Sequence, residues 1–236
     1  MTKVIGFVQL KGGVGRSTLA TNLAGIFAET TKVALIDCDK PQYTCSHWIQ
    51  QRRERYDIDE TLDLYQPATY KALLKLVYQL RPKYDYIIID CPPRIDGFSR
   101  IALMMSNLVL LPLGGSAAER WSVEAMLPVL DDAKKEHPNV DARIIWNRFR
   151  GFTNCAKESA ETAKKSLKLP EMRQKLGLRV AYTEAMADGL TVHETNDKSA
   201  RVELWSLASS IQRMLTKQTA YRKPATDKIL EFAKKH

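Results

Sequence analysis

The stretch Phe7-Val8-Gln9-Leu10-Lys11-Gly12-Gly13-Val14-Gly15-Arg16-Ser17-Thr18 decides how this chain folds. A short apolar run, Val4 to Val8, leads into it, and Leu19, Leu23, Ile26 and Phe27 follow at a helical period. Strand, glycine-rich turn and helix, in that order, make the setting of a phosphate-binding loop. Gly12, Gly13 and Gly15 let the backbone curl until successive N–H groups point inward at an anion. The helix behind them adds its unpaired N–H groups and the positive end of its dipole. The strict spacing G-x-x-x-x-G-K-[ST] is broken twice, because Leu10 replaces the first glycine and Arg16 replaces the lysine.

Outward from this loop, apolar runs alternate with helical periods. Val33 to Ile36, Tyr86 to Ile89, Leu108 to Leu111 and Arg143 to Trp146 read as short buried strands, with helix-like segments over 16–29, 67–80, 118–136 and 153–168. That alternation predicts right-handed β-α-β units and a doubly wound, mostly parallel α/β sheet with helices on both faces. In such sheets ligands gather at the carboxyl ends of the strands. Val33-Ala34-Leu35-Ile36-Asp37-Cys38-Asp39 delivers acids to that end, and so does Tyr84-Asp85-Tyr86-Ile87-Ile88-Ile89-Asp90-Cys91-Pro92-Pro93.

Composition narrows the class. At 236 residues and 44% hydrophobic content, the chain can bury a large core, and nothing in it reads as a linker, so residues 1–236 are expected to form a single domain. It carries no apolar run of transmembrane length and no signal pattern at its start. Cys38, Cys45, Cys91 and Cys155 are scattered without a C-x-x-C pair, and His47, His137 and His193 stand apart, which favours structural thiols in a reducing cytoplasm over disulfides or zinc. Charge is lopsided. Residues 1–141 hold 17 basic and 17 acidic side chains, whereas residues 142–236 hold 19 basic and 10 acidic, so the net +9 lies wholly in the second part. A basic carboxy-terminal third suggests a polyanionic partner, nucleic acid or an acidic membrane surface. Residues 217–236 read as a short basic tail, with an exposed helix over 226–235.

The pattern K-G-G-V-G-x-[ST] resembles the deviant phosphate loop of the ParA/MinD family of dimerising P-loop ATPases. The likeness runs on through Leu108-Val109-Leu110-Leu111-Pro112, Ile144-Ile145-Trp146-Asn147 and the stretch Tyr182-Thr183-Glu184-Ala185 with Gly189-Leu190-Thr191-Val192, which resemble the family's proline-ended strand, its adenine strand and the substrate-proximal loop after its last strand. Two departures stand out: Arg16 for the loop lysine, and Lys40 inserted between Asp39 and Pro41-Gln42.

The resemblance implies ATP and Mg²⁺ as cofactors. Lys11, Gly12, Gly13, Val14, Gly15, Arg16, Ser17 and Thr18 would hold the phosphates, and Asn147 would recognise adenine with an amide that both donates and accepts. Ser17 and Asp90 would hold Mg²⁺. Lys11 would act across an ATP-bound homodimer on the partner's nucleotide, and Asp39 would position the attacking water. Arginine keeps the charge of the lost lysine, yet a planar fork does not sit between phosphates as an ammonium does, so binding is expected to survive better than hydrolysis.

By the same resemblance the ATP-bound dimer would bind double-stranded DNA without sequence preference on the nucleoid of a prokaryotic cell. A small adaptor would stimulate hydrolysis, and a plasmid, chromosome locus or protein cargo would be positioned. Arg173, Lys175, Arg201, Arg222 and Lys223 are the candidate phosphate-backbone contacts. Two alternatives accompany this expectation: membrane cycling in the manner of MinD, for which Ile229, Leu230 and Phe232 make too sparse an anchor, and a nucleotide-binding scaffold with little turnover because of Arg16.

Overall fold

Strong apolar periodicity builds the centre of the molecule. The computed structural model describes residues 1–56, 61–151, 154–218 and 226–234, with no account of the side chains of 154–156. Its strands are β1 (Lys3–Phe7), β2 (Val33–Asp37), β3 (Leu62–Tyr65), β4 (Tyr86–Asp90), β5 (Leu108–Leu113), β6 (Ala142–Phe149) and β7 (Glu171–Gly177). They pair in the order β3-β2-β4-β1-β5-β6-β7, every neighbour parallel. This is the doubly wound α/β sheet that the sequence predicts. The inner strands read Val-Ala-Leu-Ile or Ile-Ile-Ile because both of their faces are covered, and these runs are buried throughout.

One face is covered by α1 (Arg16–Ala28), α2 (Thr44–Arg55), α8 (Val180–Ala187) and α9 (Lys198–Lys217). The other carries α3 (Tyr70–Leu80), α4 (Gly97–Met105), α5 (Ala117–Glu124), α6 (Leu127–Glu136), α7 (Asn154–Leu167) and α10 (Thr226–Lys234). Because all strands run the same way, the loops after β1, β2, β4, β6 and β7 meet at one edge, and the site is built there.

Several elements differ from the sequence expectation. Strands β3 and β7 and helices α2, α4, α8 and α9 were not foreseen. The expected helix over 118–136 is two helices that part at Ala125 and Met126, where Pro128 near the start of α6 cannot donate to the preceding turn. The helix expected from residue 67 starts at Tyr70, because the Thr69 hydroxyl caps it by accepting from the Ala72 N–H at 3.2 Å. The tail helix forms, but it is not exposed along its length. Ile229 and Phe232 are 0% and 1% accessible against α4, and the Arg100 guanidinium lies 5.2 Å from the Phe232 ring. Burying two such side chains is worth roughly 1.5–3 kcal/mol each, and a membrane would have to replace that. Among the described residues no helix is long and apolar enough to cross a bilayer.

Candidate functional site

Gly15 sets the geometry of the loop. Its φ of 89° lies in the left-handed region, and a Cβ there would come within 2.2 Å of Asn147 Nδ2. Helix α1 begins directly after it with no side-chain cap, which leaves the first-turn N–H groups of Arg16, Ser17 and Thr18 facing out of the helix end. Beside Gly12 and Gly13 an added Cβ would meet nothing within 4 Å, so the loop opens onto space. That space is a cavity of about 510 Å³, lined by Gly12, Gly13, Gly15, Arg16, Ser17, Thr18, Asp39 and Asn147 among others. Asn147, at the end of β6, donates from Nδ2 to the Val14 carbonyl at 2.8 Å and so holds the loop as well as lining the cavity. Lys11 is half-buried, and its ammonium forms no hydrogen bond or ion pair among the described residues.

The two acids arrive on neighbouring parallel strands, with Asp37 and Asp90 in register. Asp90 accepts from Ser17 Oγ at 2.5 Å and from Cys45 Sγ at 3.2 Å, both on Oδ2. Its Oδ1 is buried without a partner. Burial pushes its pKa up to about 7, against the pull of Ser17 and Arg16. Asp37 serves the backbone: it accepts from the Asp39 N–H and from the N–H and hydroxyl of Ser46 at the start of α2. Asp39 is 6% accessible with Oδ1 unpartnered, and burial raises its pKa despite the nearby Arg16. Cys38, Cys45 and Cys91 are buried and free, and burial pushes each thiol well up, which keeps them protonated and unreactive.

Arg16 does not present its charge to the open side of the loop. The guanidinium turns inward, with Nε donating to the Cys91 carbonyl at 2.9 Å and Nη1 to the carbonyls of Gln9 at 2.8 Å and Lys11 at 2.7 Å. Nη2 lies 3.9 Å from Asp39 Oδ2. One side chain thus ties the loop to the exits of β2 and β4. A lysine ammonium could not span that set of acceptors, which suit a planar fork.

The far wall of the cavity comes from Gly177, Leu178, Arg179 and α8, which offers Tyr182, Thr183 and Met186. The segment Tyr182 to Ala185, expected as a loop, is helical. Glu203 of α9 fastens this wall, accepting from Arg179 Nη2 at 2.7 Å and from the Gly177 N–H at 3.0 Å. Gln42, Thr44, Arg148, Arg179 and Met186 also line the cavity and were missed, since no local pattern marks them.

The DNA candidates do not share a face. Arg173 and Lys175 are both exposed on the edge strand β7, and the Lys175 ammonium lies 4.5 Å from the Phe149 ring and 5.5 Å from the Trp146 ring, on the α7 side. Arg201 is exposed on α9, across the sheet, beside the exposed Val202 and Trp205. Arg222 and Lys223 lie outside the described residues.

A parallel seven-stranded sheet whose first loop uncaps a helix beside two strand-end acids is a P-loop nucleotide-binding fold. The chain belongs to the CobQ/CobB/MinD/ParA nucleotide-binding domain family, whose description matches residues 5–192 and whose members are generally ATPases. It is similar to the maintenance of carboxysome distribution protein A of Halothiobacillus neapolitanus, at 26% identity over 188 residues, covering 79% of this chain and 84% of that one. Among solved structures, apo McdA of Cyanothece superposes with a TM-score of 0.75 at 17% identity, over 89% of this chain and 100% of that one. MinD of Pyrococcus horikoshii, complexed with Mg-ADP, gives 0.70 at 19% identity over 91% and 97%.

Proposed function

We propose that this chain is an ATPase that dimerises on binding Mg-ATP, holds duplex DNA nonspecifically as the dimer, and positions a cargo with a small adaptor protein. The observation that supports it most is the meeting at one cavity of an uncapped helix end, Asp39, and Ser17 with the buried Asp90 behind it. The residues suit a magnesium ion. Asp90 Oδ1 is buried and unpartnered, Ser17 Oγ is beside it, and Mg²⁺ commonly takes one or two protein oxygens and completes its shell with phosphates and water. Among the described residues no cluster of three His, Cys, Asp or Glu side chains competes for a metal. Bound there, Mg²⁺ would supply charge neutralisation for phosphoryl transfer to water.

On this reading Asp39 orients water, Lys11 reaches the partner's nucleotide, and Asn147 contacts the base. Residues 1–236 then act as one ATPase domain, with α10 docked on it. The likeness to a carboxysome distribution protein makes a protein compartment a natural cargo beside a plasmid or chromosome locus. Membrane cycling is disfavoured by the burial of Ile229 and Phe232. A scaffold with little turnover is the second reading, and the inward-turned Arg16 favours it. Light scattering of the full chain tests the proposal: ATP and Mg²⁺ should drive a monomer to a dimer, and Lys11→Ala should abolish the dimer while nucleotide still binds. A wild-type protein that stays monomeric with Mg-ATP would refute it.

A further inference from the structure

Three arginines line the cavity, Arg16, Arg148 and Arg179, and the surroundings of their guanidinium groups differ. Arg16 is buried, turned inward onto three carbonyls, with Asp39 close to its remaining nitrogen. Arg179 is neutralised by Glu203, to which both Nε and Nη2 donate. Arg148 is exposed and pairs with no carboxylate among the described residues. Its Nη1 donates at 2.6 Å to the carbonyl of Gly13, a neutral acceptor on the phosphate loop itself. Of the three arginines that line the cavity, it is the one that faces no carboxylate among the described residues.

The backbone holds it there at a cost. Arg148 has φ 54°, in the left-handed region that costs an ordinary residue roughly 1–2 kcal/mol. The pairing of β6 with β7 is also irregular between Trp146 and Phe149, and such an irregularity re-aims the side chain within it. At this irregularity the Arg148 guanidinium lies against the Gly13 carbonyl, beside the open N–H groups of the loop.

We propose that Arg148 is the in-chain cation that binds the phosphates of the nucleotide, the task a loop lysine would perform and for which Arg16 is turned the wrong way. The inference rests on the reading that the cavity takes Mg-ATP. A charged guanidinium binds phosphate through charge-assisted, often bidentate hydrogen bonds, and Arg148 keeps most of its donors for that.

Binding of ATP, ADP and adenosine to the full chain in Mg²⁺, measured for wild type, Arg148→Ala and Arg148→Lys, tests this. Arg148→Ala should weaken ATP and ADP by roughly ten- to hundredfold while leaving adenosine unchanged. Arg148→Lys should recover much of the loss, because it restores the charge, and the melting temperature of both variants without nucleotide should match wild type. If wild type binds ATP and Arg148→Ala binds it within about twofold, the inference is overturned while the nucleotide reading stands. Equal losses for adenosine and ATP would also overturn it, by placing Arg148 against the base or ribose. A wild type that binds no nucleotide brings down the functional reading and this inference together.

Discussion

Asp90 is a buried acid whose ionised form the resting protein holds at a disadvantage, and Asp90→Asn exposes that. Its folded pKa stands at about 7 against an ordinary 3.8, chiefly through burial. The folded state therefore keeps its proton over a window in which the unfolded chain has lost it, so stability falls as pH rises from about 4 to about 7 and is level beyond. About three units at about 1.36 kcal/mol each amount to about 4 kcal/mol of destabilisation above pH 7, an upper bound. Asparagine has the same shape and no charge, and its oxygen can still accept from Ser17 or Cys45. Urea denaturation at several pH values is the assay. At pH 8 Asp90→Asn should be the more stable protein, by as much as that amount, and near pH 4 the two should converge. The variant should also lose Mg-dependent nucleotide binding. If the difference between the two proteins does not change with pH, the buried-charge account of this site is wrong.

Gly15→Ala forces a Cβ into the Asn147 amide and strains a left-handed position, so it should cost about 2–4 kcal/mol of stability and abolish nucleotide binding; thermal melts and binding titrations read both. Phe232→Ala empties a site on α4 and should destabilise the fold by about 3–5 kcal/mol in denaturant titrations, and vesicle flotation with ATP should recover neither protein. Duplex binding by the wild-type dimer should be alike for unrelated sequences and weaken steeply with salt, at a slope of about −0.9 per neutralised phosphate, as filter binding or electrophoretic shifts would measure.

Local sequence carried the centre of this fold and little of its rim. Strands β1, β2, β4 and β5 announce themselves as apolar runs because both of their faces are covered, and β6 does so through Ile144-Ile145-Trp146 at its centre. Strand β7, Glu171-Met172-Arg173-Gln174-Lys175-Leu176-Gly177, does not, since an edge strand keeps charged residues that discourage further pairing. Strand β3 is only four residues long. Helix α2 reads as polar, and its register rests on Asp37 capping through Ser46, a contact between separate elements.

The site divides in the same way. The positions of Ser17, Asp39 and Asp90 were legible because each stands in the glycine loop or at a strand end. The identity of Arg16 said that a charge was present, but its direction is set by the carbonyls of Gln9, Lys11 and Cys91, which only the folded chain brings around it. Arg148 and Arg179 reach the cavity through a strand irregularity and a contact with α9, and neither has a signature in the sequence.

In the proposed function the cavity above Gly12 to Thr18 holds Mg-ATP. Isothermal titration of ATP into the full chain tests it most directly, with and without Mg²⁺ and with Asp90→Ala beside wild type. The expected result is a single ATP per chain, an affinity that depends on Mg²⁺, and loss of that dependence in the variant. Absence of binding by the wild type, or binding indifferent to both Mg²⁺ and Asp90, would contradict it.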